Sequence, residues 1–125
     1  MIVGIGVDII EIGRIKETIQ RQGDGFVKKV FTEGEILYCT SKPSPAQHYA
    51  ARFAAKEALS KALGTGIRDT VRLRDIEVVN AESGAPSFIF YNDLAEKMKA
   101  LTVHLSLSHS DTSVVAFAVV EERIP

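Results

Sequence analysis

Asp8 closes a β-branched, glycine-bearing run, Ile2-Val-Gly-Ile-Gly-Val-Asp8. A carboxylate beside two glycines has open space next to it, as an oxygen-loving cation with a phosphate ligand requires. The plainer account makes Asp8 the cap of the helix that follows, and spacing leaves both open. Further along, Arg52, Lys56 and Ser60 form one i, i+4 row, with Phe53, Glu57 and Lys61 in the row beside it. Glu57 and Lys61 make an ordinary exposed ion pair on one reading. On the other, Glu57 is the second carboxylate that joins Asp8 around a hard cation such as Mg²⁺.

Other chemistry-bearing patterns are weaker. Gly4 and Gly6 lack the third glycine of a dinucleotide fingerprint, because Ile9 holds that position, and no acidic residue follows a second strand at the needed distance. No Gly-Lys-Ser/Thr sequence accompanies Gly64, Thr65 and Gly66, so a P-loop is excluded, although that turn can still offer backbone N–H groups to an anion. Ser108-His109-Ser110-Asp111 holds the residue types of a hydrolytic triad, but neighbours in one turn rarely converge, and no Gly-x-Ser-x-Gly elbow exists. His48, His104 and Cys39 lack metal-ligand spacing.

These residues need elements to position them. Residues Ile2 to Ile10 read as a strand with Val3, Ile5, Val7 and Ile9 on one face and Gly4, Gly6 and Asp8 on the other. Ile12, Ile15 and Ile19 follow at helical spacing, with Arg14 and Arg21 on another stripe. Thr32 and Glu35 have capping-box spacing and open a short helix. The longest helix is expected between Ser44 as N-cap, with Gln47 completing a capping box, and a stop at Gly64. Its alanines at 51, 54, 55, 58 and 62 make a small-residue surface. Ile76 and Val78 pair with Phe88 to Tyr91 as a hairpin across Glu82-Ser-Gly-Ala-Pro86. Asn92 caps a helix through Leu94, Met98 and Leu101, and strands Val103–Leu107 and Ser113–Val120 flank the final turn. The last strand is apolar on both faces, which predicts cover on both sides. The reading is α+β: a small mixed sheet with one long central helix.

The 125 residues, 46% of them hydrophobic, suffice for a single domain spanning 1–125. Fifteen basic against 16 acidic side chains argue against a chain-wide attraction to nucleic acid or membrane. Positive charge concentrates locally at Arg14, Lys16, Arg21, Lys28 and Lys29. The lone Cys39 agrees with a reducing compartment, the amino terminus lacks signal-peptide features, and no apolar run approaches the ~20 residues of a membrane span. A cytoplasmic location is expected.

Four segments in order then carry a resemblance: Gly4-Ile-Gly-Val-Asp8-Ile-Ile with Arg14 after it, Phe31-Thr-x-x-Glu35, Arg52-Phe-Ala-Ala-Lys-Glu57-Ala-Leu-Ser-Lys61-Ala-Leu-Gly-Thr-Gly66, and Leu105-Ser-Leu-Ser-His109. Over essentially its whole length the chain resembles the holo-acyl-carrier-protein synthases, the short single-domain class of the 4′-phosphopantetheinyl transferase superfamily. The resemblance implies transfer of 4′-phosphopantetheine from coenzyme A to a carrier-protein serine, leaving 3′,5′-ADP, in support of fatty acid biosynthesis. It implies Asp8 and Glu57 as Mg²⁺ ligands, with Lys61 beside the leaving phosphate. Arg52, Lys56, Gly64, Thr65, Gly66 and His109 would hold the nucleotide, and Arg14, Arg21 and Lys28 the acidic carrier. A homotrimer with sites between subunits is implied as well. The serine proton goes to Glu57 or to a water at the metal, and both stay open. Ala85 stands where the family commonly has lysine, which removes a basic contact from that turn. An idle carrier-binding module and a Mg²⁺-dependent nucleotide phosphohydrolase are the rival readings.

Overall fold

The computed structural model describes residues 1–64 and 72–124. Strand β1 (Ile2–Glu11) runs into helices α1 (Ile12–Gln22), α2 (Asp24–Val30) and α3 (Glu33–Thr40), and then into the long α4 (Pro45–Leu63). A 3₁₀ turn (Leu73–Asp75) leads to β2 (Ile76–Asn80), β3 (Pro86–Phe90), α5 (Asn92–Met98), β4 (Leu101–His109) and β5 (Ser113–Glu122). The α+β class and the long helix match expectation. The expected mixed sheet is instead two antiparallel sheets among the described residues, β1-β5-β4 and the β2-β3 hairpin.

Helix α4 lies across β1 and β5. Ala54, Ala55, Ala58 and Ala62 meet Val114, Ala116, Ala118 and Val120 of β5, all of them buried. Small side chains on both partners bring the backbones close. The approach is tightest at β1, where a Cβ on Gly4 would lie 1.7 Å from the Ala62 carbonyl oxygen and one on Gly6 2.0 Å from that of Ala58. The glycine face of β1 is therefore filled by a helix at Gly4 and Gly6, and the open space expected beside Asp8 lies past them, where Asp8 lines a cavity. The apolar face, with Val3, Ile5, Val7 and Ile9, is the exposed one. Phe117 of β5 is exposed with it, so among the described residues β5 is covered on one side.

Helix ends show where side-chain chemistry was decisive. Thr32 and Glu35 form the expected capping box, and Gly64 ends α4 in the left-handed region at φ 74. Ser44 precedes α4 but its side chain makes no cap bond, so the second capping box does not form; Pro45 at the first helical position starts the helix. Asn92 is not the cap of α5 but its first residue, at φ 58 with its side-chain Nδ2 donating a hydrogen bond to Asp75 Oδ1 at 2.8 Å, and Tyr91 takes the cap position. Leu101 belongs to β4. Helix α2, not foreseen in the sequence, begins after Gly23, which turns the chain at φ 58.

Candidate active site

Asp8 points toward α4 because it shares a face of β1 with Gly6, the face on which the helix rests. Lys61, on the last turn of α4, donates to Asp8 Oδ1 at 3.0 Å and to the Val7 carbonyl at 3.0 Å. The lysine thus pairs with the strand carboxylate, and no ion pair to Glu57 is formed among the described residues. Asp8 and Glu57 line one cavity of about 510 Å³ together with Glu11, Arg14, Phe26 and Phe53. Its ligand-bearing side chains are carboxylates, with no imidazole or thiol among them. That donor set suits a hard divalent cation held by two carboxylates and completed by water and phosphate oxygens. No group of three His, Cys, Asp or Glu side chains forms a closed cage among the described residues.

Arg52 and His109 belong to a second cavity, of about 240 Å³, on another side of α4, lined also by Tyr38, His48, Asn80 and Pro86. The two cavities share no lining residue. Arg52 is 2% exposed, its guanidinium carbon lies 4.1 Å from the Tyr38 ring centre, and one terminal nitrogen donates to Asn80 Oδ1 at 2.9 Å. Among the described residues its Nε is buried without a partner, and no carboxylate lines the cavity. A buried cation with unused donors and no counter-charge is prepared for an anion.

Lys56 does not take part in either cavity. It is fully buried, and its three ammonium donors are spent on the Val30 carbonyl (2.7 Å), Glu35 Oε1 (2.8 Å) and the Leu73 carbonyl (2.9 Å). The phosphate-holding role expected for it is corrected: its position one residue before Glu57 turns it inward. Burial pushes its pKa down and Glu35 draws it back up. Glu35 was visible in the sequence only as a capping residue. It also accepts from the Val78 backbone at 2.9 Å, so one carboxylate ties α3, α4 and β2 together. Sequence reasoning missed this network because its members are far apart in the chain.

Of the residues expected at a carrier surface, Arg14 lines the larger cavity, while Arg21 and Lys28 are exposed on α1 and α2 in loose i, i+4 pairs with Glu17 (3.9 Å) and Asp24 (3.8 Å). Such pairs hold side chains weakly. Gly64 is exposed at the end of α4, and Thr65 and Gly66 lie outside the described residues. The turn after β2 closes as expected with Gly84 at φ 93 and Ala85 in it. No described helix is long and apolar enough to cross a membrane.

Comparison with known proteins gives the chain its family and fold. A protein from Koribacter versatilis (strain Ellin345), named holo-[acyl-carrier-protein] synthase, is 43% identical over 125 residues, covering 98% of this chain and 100% of its own. The crystal structure of the synthase from Neisseria meningitidis superimposes with a TM-score of 0.90 at 37% identity, covering 98% and 100% of the two chains. That from Bacillus anthracis, solved in complex with CoA (3′,5′-ADP), does so with a TM-score of 0.84 at 42% identity, covering 98% and 99%. Residues 4–118 match the family model of the 4′-phosphopantetheinyl transferase superfamily, and this chain belongs to that superfamily.

Proposed function

We propose that this chain transfers the 4′-phosphopantetheine group of coenzyme A to a serine of an apo-acyl carrier protein, giving the holo form and 3′,5′-ADP, as its relatives are named for doing. The observation that carries it is the meeting of Asp8 from β1 with Lys61 from α4, beside a cavity that Asp8 shares with Glu57. Asp8 and Glu57 are the residues that would hold Mg²⁺. The ion supplies charge stabilisation on the pyrophosphate.

The serine oxygen forms a bond to the β-phosphorus of coenzyme A as the bond to the 3′,5′-ADP oxygen breaks. The leaving group departs with added negative charge, and the Lys61 ammonium is placed to offset it. Arg52 and His109 hold a phosphate of the nucleotide in the smaller cavity. Arg14, Arg21 and Lys28 meet the acidic carrier, so docking weakens with salt.

Within one chain the Asp8 cavity and the Arg52 cavity share no lining residue, which favours a site completed by another copy. The exposed face of β1 and β5, with Ile5 at 56%, Ile9 at 66% and Phe117 at 42% exposure, offers a surface for a homotrimer. A role in fatty acid biosynthesis in the cytoplasm follows from the activity.

Mass spectrometry of an apo-carrier protein incubated with the chain, coenzyme A and Mg²⁺ tests the reading. The carrier gains one phosphopantetheine, the gain stops on chelation, and Asp8→Asn or Glu57→Gln abolishes it. Release of 3′,5′-ADP from coenzyme A with no carrier present would instead identify a hydrolase.

A further inference from the structure

The smaller cavity holds a titratable group to which the reaction above gives no role. His48 sits one turn before Arg52 on the same stripe of α4 and lines the cavity with it. Its ring meets the edge of Tyr38 at 5.6 Å, on the aromatic that also carries the Arg52 guanidinium at 4.1 Å and the Lys42 ammonium at 4.7 Å. His109 enters from the end of β4. The hairpin contributes Asn80, Gly84 and Pro86, and β5 contributes Val114, none of them charged. Among the described residues no carboxylate lines this cavity, and the permanent cations beside His48 are Arg52 and Lys42. At about 240 Å³ the space is smaller than pockets that enclose a whole small-molecule ligand, and it suits one phosphate group with part of its hydration.

We propose that His48 is a phosphate ligand of this chain, closing with Arg52 and His109 on one phosphate group of coenzyme A and taking up a proton as that group binds. The inference rests on the reading of coenzyme A as substrate. The buried Arg52 Nε, without a partner among the described residues, is the independent sign that an anion belongs there. Burial, then the charges of Arg52, Lys42 and His109, hold the His48 pKa below its ordinary value. The ring is mostly neutral near neutral pH, with the Arg52 and Lys42 cations beside it. A phosphate reverses the sign of its surroundings and raises its pKa, so bound protein carries a proton that free protein lacks. By linkage, binding is then strongest below the free-state pKa and weakens as pH rises through the bound-state pKa.

Isothermal titration with coenzyme A, in buffers of differing ionisation enthalpy between about pH 6 and 8, reads the proton directly. Wild type takes up a proton on binding, and its affinity rises roughly tenfold across that range as pH falls. His48→Phe keeps the edge contact with Tyr38 and His48→Gln keeps a hydrogen-bond donor. Both bind at the wild-type high-pH affinity, with the pH dependence flattened and the uptake gone. Uptake that persists in both variants and disappears in His109→Gln overturns the assignment to His48, as does an absence of uptake in wild type that nevertheless binds. Failure of coenzyme A to bind wild type at all overturns the proposed reaction itself, a separate outcome.

Discussion

Replacing Gly6 by alanine tests how closely the site depends on backbone contact. The new Cβ would stand 2.0 Å from the Ala58 carbonyl oxygen and 2.7 Å from the Ala62 backbone nitrogen. Neither is the end of a flexible side chain. Reaching an ordinary carbon–oxygen contact of about 3.3 Å requires β1 and α4 to part by roughly 1.3 Å. Ala58 and Ala62 are buried in the core, so the parting opens the packing along the helix, at a cost of about 1–3 kcal/mol and a Tm lower by roughly 5–10 °C. The same movement draws Lys61 away from Asp8, to which it is bonded at 3.0 Å. A misplacement of about 1 Å at reacting groups can lower turnover about 10²-fold. Thermal unfolding and the carrier mass-shift assay, run on the same preparations, read both effects. Gly13→Ala is the control, since a Cβ there meets nothing within 4 Å and should add roughly 0.5–1 kcal/mol to α1. Wild-type Tm and turnover in Gly6→Ala would refute the argument that this glycine sets the distance between strand and helix.

Lys61→Ala should lower kcat more than it raises the KM for coenzyme A, because the ammonium acts on charge that develops during transfer; steady-state kinetics separate the two. Lys56→Met strands the Glu35 carboxylate in the core and should destabilise by about 3–5 kcal/mol in chemical denaturation, with part recovered in the Glu35→Gln, Lys56→Met pair. Burial pushes the Cys39 thiol from its ordinary 9.0 up to about 12, so the folded chain keeps a proton that the unfolded chain loses, and this contribution to stability declines as pH rises from 9.0 toward 12. At neutral pH a thiol reagent should label Cys39 only at the rate of unfolding. Phe117→Glu places a charge on the exposed apolar face and should shift the proposed trimer to monomer in sedimentation, with loss of transfer activity.

The legible parts of this molecule were those whose physics is local. Pro45 and Gly64 bound α4 because proline fixes its own φ and glycine takes the left-handed φ without strain, and Thr32 with Glu35 caps α3 through groups three residues apart. Spacing left the plainer readings of Asp8, Glu57 and Lys61 open, and only the family resemblance made them a set. Distant pairing was not legible. Nothing near Lys56 in the chain reveals that Glu35, Val30 and Leu73 surround it, so a lysine within a phosphate-binding motif read as a ligand when it is a buried tie. Asn92 read as a cap because asparagine favours that position. Its neighbour Tyr91 took the place, because Asn92 could adopt positive φ and bond to Asp75.

Strand β1 shows why alternation alone could not say which face is inside. A period of two separates Val3, Ile5, Val7 and Ile9 from Gly4, Gly6 and Asp8, and hydrophobicity would assign the first set to the core. The partner decides otherwise, because α4 presents alanines and its own backbone, and only glycines let a helix approach that near. That closeness is what lets Lys61 reach both the Val7 carbonyl and the Asp8 carboxylate. With larger residues at Gly4 and Gly6 the helix would stand further off and the lysine would lose the strand. The apolar side chains left outside are then the other half of the same choice: placing the glycines inward for the site places Ile5, Val7 and Ile9 outward, where the proposed assembly would cover them. Site geometry and the surface for a second copy thus follow from one alternation in nine residues, Ile2 to Ile10, read from its two sides.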